Sequence, residues 1–316
     1  MAGRGARRRE LRHAHNVMIA EQAMGRIAFI GLGAMGLPMA RNLAAANLRP
    51  SCFDAAEAAR ERAASCGLDV ASSLEEAAAG ADTVVTMLQN GEQVLAVWRA
   101  LLPLMPQGAL FIDCSTIDIA QARDAHALAS YAGARAVDAP VSGGVAGAEA
   151  GSLTFMCGGT SEAFAAATPI LEKMGARLFH CGDPGLGQAT KLCNNLMLGV
   201  TMIATAEAFA LAERIGLPAQ KLFEVAAASS GQSWSLTTYC PVAGLAPASP
   251  ANRDYATGFA TRLMLKDLRL AESAAARAGA VTPLGAAAAQ LYALYEAQGG
   301  GGRDFSGVIE MLAGKV

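Results

Sequence analysis

The motif Gly31-Leu-Gly33-Ala-Met-Gly36 stands between a β-rich run at 27–30 and a stretch at 34–46 whose apolar residues recur every three or four positions. A strand that turns through glycines directly into a helix is the start of an alternating α/β pattern, and the pattern continues. Residues 51–53, 83–88 and 110–112 read as strands, with further candidates at Val137, 153–156 and 178–179, and residues 55–65 read as a helix. Strands apolar on both faces and separated by helices predict a parallel sheet covered on both sides. After Gly187 helical periodicity takes over, at 188–215, 219–229, 261–279, 283–298 and 305–312, with an ordered loop at 241–252 and another at 299–302. The expected organisation is an extension over 1–23, a doubly wound domain over 24–186 and an all-helical domain over 187–316.

Composition narrows the partners. Apolar residues make up 53% of the 316 and charged residues 16%, which supplies ample core and excludes a mostly disordered chain. The net charge is −2, with no basic field over the body of the chain, so neither nucleic acid nor an anionic membrane is an expected partner. The longest apolar run, 196–206, is shorter than a membrane span and reads as a buried helix. Residues 1–23 carry +3, from five arginines against two glutamates, which leaves −5 for the rest. The segment reads as a disordered extension before a fold that opens at Met24; a mitochondrial presequence is the alternative. The expected location is accordingly the bacterial cytoplasm, with the mitochondrial matrix second. The seven cysteines form no C-x-x-C pair and read as isolated reduced thiols. No cluster has metal-ligand spacing, so no metal is expected.

The glycine motif matches G-x-G-x-x-G in the right context, after a strand and before a helix. Gly31 permits the tight turn, Gly33 lets the backbone approach a pyrophosphate, and Gly36 lets helix and strand pack closely. The backbone of Leu32, Ala34 and Met35 completes the cradle at a helix N-terminus. An acid is expected about 20 residues on, and Asp54 stands there. Its carboxylate suits ribose hydroxyls and repels a 2′-phosphate, which favours NAD over NADP; it also suits a helix N-cap before Ala55. The fold class is therefore α/β: an N-terminal Rossmann-type, doubly wound parallel sheet followed by a C-terminal all-α domain.

Further blocks carry a family resemblance. Asp138-Ala-Pro-Val-Ser-Gly-Gly144 leads through Gly147 and Ala148 to Gly151-Ser-Leu-Thr-Phe-Met156, and Gly187-Gln-Ala-Thr-Lys191-Leu-Cys-Asn194-Asn195 follows. With the glycine motif, these resemble the β-hydroxyacid dehydrogenase family over about 25–314. The C-terminal blocks look most like the branch acting on 3-hydroxyisobutyrate: Ser229-Ser-Gly-Gln-Ser-Trp234-Ser, Tyr239-Cys-Pro-Val, Phe259-Ala-Thr, Leu263-Met-Leu-Lys266-Asp267-Leu and Asp304-Phe-Ser. The resemblance implies NAD-linked oxidation of 3-hydroxyisobutyrate to methylmalonate semialdehyde, a step of valine breakdown. Other semialdehyde reductions in the family, of tartronate or succinic semialdehyde, are the nearest alternative. A non-catalytic dinucleotide-binding protein is the alternative of a different class.

By the same resemblance, Lys191 is the general acid/base, against the plain reading of a solvated helix lysine. Asn195, one turn on, orients substrate or amine; Asn194 lies near the same face and spacing alone does not separate them. Ser142, Gly143 and Gly144 bind the substrate carboxylate as an anion nest, or simply cap a turn. Leu88, Gln89 and Thr116 contact the cofactor at strand ends, although the family usually has proline where Gln89 stands. Lys266 reaches the cofactor from the helical domain, and Asp267 either pairs with it or is a surface acid. Trp234 walls the substrate pocket or is a core aromatic, and Phe259 shares the ambiguity. The four histidines fall outside these motifs and read as structural or exposed. The apolar helical domain implies a homodimer or homotetramer.

Overall fold

Strand β1 (Arg26–Ile30) shows how the first half of the chain is built. Its side chains alternate between two cores, Ile27 and Phe29 entering one, Ala28 and Ile30 the other. Both faces of the sheet are thus buried, as the apolar strands predict. The computed structural model describes residues 25–315, and the expectations for 1–23, including His13 and His15, lie outside them.

The remaining strands are β2 (Ser51–Phe53), β3 (Asp69–Val70), β4 (Ala81–Thr86), β5 (Leu110–Asp113), β6 (Arg135–Asp138), β7 (Val141–Ser142), β8 (Leu153–Gly158) and β9 (Gly175–Gly182). The order β3-β2-β1-β4-β5-β6 is parallel throughout. The sheet is mostly rather than wholly parallel. β8 runs antiparallel to β6 and β7, while β9 pairs parallel with β8. The reason is local: after β6 the chain turns back through Gly143 and Gly144, both at positive φ, where a parallel return would need a full crossover. Helices α1 (Gly36–Ala45), α2 (Glu57–Ser65), α3 (Leu74–Ala78), α4 (Gly91–Leu101), α5 (Ile119–Tyr131), α6 (Gly144–Glu149) and α7 (Ser161–Leu171) complete this unit, which extends through Gln188.

The second unit, from Ala189 on, is helical. Helix α8 (Leu186–Arg214) begins in the first unit and continues into the second. It stops at Gly216, where φ is +77° and the Leu217 N–H bonds back to the Ala212 carbonyl at 2.9 Å. With 29 residues it is long and apolar enough to cross a membrane by length and composition, and the run 196–206 is only its middle. Half of its most apolar stretch is buried in the protein, where Met202, Ile203, Ala206 and Phe209 join one core. That core is shared with α9 (Ala219–Ala227), α10 (Trp234–Thr237), α11 (Thr261–Ala278), α12 (Pro283–Ala297) and α13 (Val308–Leu312). Two stretches read as loops contain single 3-10 turns, Pro250–Arg253 and Gly300–Gly302.

Candidate active site

The glycine turn meets three separate steric demands. Gly31 has φ +102°, and a Cβ there would collide with the Met87 carbonyl oxygen. A Cβ on Gly36 would collide with the Gly31 carbonyl oxygen, so turn and helix start pack backbone against backbone. Gly33 differs: it is exposed, and no atom lies within 4 Å of its Cβ position. The open approach is therefore at the glycine expected to face a pyrophosphate, at the N-terminus of α1, whose Met35 cap makes no side-chain bond. A cavity beside it is lined by Gly33, Ala34, two cations suited to a phosphate, Arg41 and Arg62, and one acid, Glu149.

Asp54 fastens this loop. Its Oδ2 accepts from the Leu32 N–H at 2.7 Å and its Oδ1 from the Ala56 N–H at 2.8 Å. It is not the N-cap of α2, which starts at Glu57 with Ala56 in the cap position. Each carboxylate oxygen keeps a lone pair, so ribose hydroxyls remain within its chemistry. Arg60 Nη1 donates to the Asp54 carbonyl at 2.7 Å, with the guanidinium 5.6 Å over the Phe53 ring. These features fit a bound NAD.

At the neighbouring strand ends, the Leu88 N–H donates to Ser115 Oγ at 2.8 Å, and Ser115 Oγ donates to Asp113 Oδ1 at 2.6 Å. Asp113 is buried, and burial pushes it up to about 6 against the lowering effect of bonds from Ser115 and Thr86. The Gln89 N–H donates to Gln93 Oε1 at 3.2 Å, so the position where proline is usual spends its extra N–H inside its own loop. Half-buried Thr116 lies on a main chain pinned by Gln188. The Gln188 Nε2 donates to the Ser115 carbonyl at 2.7 Å, and its Oε1 accepts from the Ile117 N–H at 3.1 Å.

The Gln188 N–H in turn donates to Asp138 Oδ2 at 2.9 Å. Asp138 Oδ1 accepts from the Gly185 N–H and faces His126 Nε2, each at 2.9 Å. His126 is thus buried and structural, while His180 is exposed, stacks on Phe164 and bonds the Gly159 carbonyl. Neither Gln188 nor Asp138 has a role that the sequence motifs alone assign. The signal available was an amide in the first turn of an apolar helix and an acid closing a buried strand. Ser142 lies in β7, and Gly143 and Gly144, at φ +134° and +61°, turn the chain into α6.

In the second unit, Lys191 and Asn195 lie one turn apart on α8 and both are buried. Lys191 is not a solvated helix lysine. Burial lowers its pKa from the ordinary lysine range; Asp267 opposes this and Lys266 adds to it. Asp267 is not a surface acid. It is buried on α11, its Oδ2 accepts from Asn195 Nδ2 at 2.6 Å, and burial raises it against the pull of Lys191. Asn194 Nδ2 donates to Asn195 Oδ1 at 3.0 Å, so Asn194 orients the residue that faces the acid. The Phe259 ring lies 6.0 Å from Lys191 Nζ. Trp234 is 50% exposed and stacks on Tyr239 with centroids 4.8 Å apart, so it is not a core aromatic. Lys266, half-buried, precedes Asp267 on α11. Among the described residues no group of three His, Cys, Asp or Glu side chains is arranged to hold a metal ion.

Two family models match the chain: the NAD-binding domain of 6-phosphogluconate dehydrogenase over residues 26–182, and the NAD-binding domain of NADP-dependent 3-hydroxyisobutyrate dehydrogenase over 185–312. A probable 3-hydroxyisobutyrate dehydrogenase of Mycobacterium tuberculosis is 48% identical over 93% of this chain and 99% of its own length. An NAD-dependent L-serine dehydrogenase of Pseudomonas aeruginosa is 46% identical over 92% and 98%. Among solved structures, Mycobacterium tuberculosis 3-hydroxyisobutyrate dehydrogenase with L-serine matches with a TM-score of 0.88 and 49% identity, covering 92% of this chain and 99% of that one. With relatives this close along nearly its whole length, the chain belongs to the β-hydroxyacid dehydrogenase family, is most like 3-hydroxyisobutyrate dehydrogenase, and is an NAD-dependent enzyme.

Proposed function

We propose that the enzyme oxidises 3-hydroxyisobutyrate to methylmalonate semialdehyde, as a step of valine breakdown in a bacterial cytoplasm, with Lys191 as general acid/base. The observation that carries the mechanism is a buried lysine whose neutral form is favoured by its surroundings, beside the Asn195–Asp267 pair. Bound NAD supplies the nicotinamide carbon that accepts a hydride from the substrate. Lys191 Nζ takes the hydroxyl proton in that direction and returns it in the other. Asn195, fixed by Asp267 and Asn194, orients the amine or the hydroxyl. Ser142 and the backbone of Gly143 and Gly144 hold the substrate carboxylate, and Trp234 packs against the methyl group. On the cofactor side, residues 31–36 take the pyrophosphate and Asp54 the ribose; Leu88, Gln89, Thr116 and Lys266 contact the rest. Exposed Met197, Leu211 and Ile215 on α8 form a contact between copies of the chain in a homodimer or homotetramer, a reading that a monomeric mass in solution would sink.

L-Serine is the second reading, since a serine dehydrogenase is 46% identical and the matching solved structure contains L-serine. It shares the β-hydroxyacid skeleton and puts an ammonium where 3-hydroxyisobutyrate has a methyl. The experiment is NADH formation with 3-hydroxyisobutyrate, L-serine, glycerate and 4-hydroxybutyrate. An apolar wall distinguishes a methyl by about tenfold or more, so kcat/KM is expected to be highest for 3-hydroxyisobutyrate by that margin. A higher kcat/KM for L-serine would overturn the substrate and keep the chemistry. Silence on every substrate, with NADH still bound, would favour a non-catalytic dinucleotide-binding protein.

A further inference from the structure

We propose that Asp304 is a positioning residue for the active-site lysine: it holds the loop that carries Phe259, and through that ring it keeps Lys191 shielded from water. The inference rests on the reading of Lys191 as the acid/base group.

Asp304 is fully buried, and both of its oxygens are spent. Oδ2 accepts from the Gly258 N–H at 2.9 Å, the Phe259 N–H at 2.8 Å and the Tyr239 hydroxyl at 3.0 Å. Oδ1 accepts from the Ser306 N–H at 3.0 Å and the Ser306 hydroxyl at 2.7 Å. A carboxylate is the only side chain of this size that offers acceptors alone on both oxygens. Three of the five donors belong to the residues that set the aromatic wall. Two are main-chain groups at Phe259 and its predecessor, which fix where that side chain starts. The third is Tyr239, on which Trp234 stacks.

The surroundings leave the loop little freedom. The Phe305 N–H donates to the Phe259 carbonyl at 3.0 Å, and Ala260 and Asp304 form an isolated antiparallel bridge. The Phe305 ring meets Phe259 edge-on at 5.8 Å and stacks on Tyr239 at 5.5 Å. A Cβ on Gly258 would lie 2.6 Å from the Tyr239 hydroxyl, so only glycine lets that hydroxyl reach the acid. The charged groups acting on Lys191 are Asp267 and Lys266 on α11; uncharged Asn195, one turn along its own helix, bonds Asp267, and the Phe259 ring approaches from this loop. Phe259 is uncharged and apolar, and its ring lies 6.0 Å from Lys191 Nζ. Moving it re-solvates the amine and leaves the ionic neighbours where they are.

The test compares wild type, Asp304→Asn and Phe259→Leu as full-length proteins. Two profiles are recorded against pH: the rate of the fastest β-hydroxyacid oxidation, and competitive acetylation of Lys191 by acetic anhydride, read by peptide mass spectrometry. The second needs no activity, so it decides the proposal even where no substrate of the panel turns over. Asn offers one acceptor oxygen where two are used, so the loop loosens. The Lys191 midpoint is expected to rise by about one pH unit, part of the several that full burial can impose. Phe259→Leu should give a similar rise, and the double variant little more. An unmoved midpoint in Asp304→Asn, alongside a lower melting temperature, would reduce Asp304 to a fold-stabilising group. If Asp304→Asn does not fold, an unmoved midpoint in Phe259→Leu overturns the proposal.

Discussion

Asp113 and Lys191 are both buried ionisable groups, and burial drives each toward its neutral form, but the consequences for pH run in opposite directions. Asp113 has its pKa raised from 3.8 to about 6. The unfolded chain therefore releases this proton first, and the stability Asp113 contributes below pH 4 is lost as pH rises through about 6. The two-unit difference corresponds to about 3 kcal/mol. Asp113→Asn keeps an acceptor for Ser115 and Thr86 and cannot ionise. Its urea midpoint at pH 7.5 relative to pH 4.5 should exceed the wild-type ratio, by up to about that energy; parallel curves would show that Asp113 stays ionised at no cost. For Lys191 the lowered pKa places the neutral amine within reach at lower pH than an ordinary lysine. Substrate oxidation should accordingly rise with pH and level off below the ordinary lysine range.

At the scale of elements, the features fixed by steric or periodic rules were legible. The strand, glycine turn and helix at 26–45 follow from backbone demands at Gly31 and Gly36, and α8 and α11 follow from their apolar repeats and from Gly216 and Gly279, which end them at positive φ. What the sequence concealed depends on partners far along the chain. The two-residue strands β3 and β7 have no pattern of their own and exist through pairing with β2 and β8. The reversed end of the sheet is decided by how the chain turns after β6. The same holds for the site. Lys191 and Asn195 could be placed on one helix face from their spacing, but only the fold separates Asn195 from Asn194, by bringing Asp267 from 72 residues away. The Gln188 side chain bonds main-chain groups, and most partners of Asp138 and Asp304 are main-chain N–H groups; a residue that bonds backbone leaves no complementary residue type in the sequence to find.

Taken as a whole, the molecule comprises two units, each carrying some of the proposed functional groups. The first holds the open glycine turn, Asp54 and the strand ends at Leu88 and Thr116; the second holds the buried lysine with Asn195 and Asp267. The role proposed for Lys191 is proton transfer and not dinucleotide binding, so separating binding from chemistry tests it directly. The measurement is kcat for NADH formation in wild type and Lys191→Ala, with NADH affinity taken by fluorescence titration on the same preparations. A general base contributes at least about a hundredfold, so kcat should fall by that factor or more while NADH affinity stays within roughly threefold of wild type. A variant that keeps wild-type turnover would contradict the assignment of Lys191 as the acid/base group.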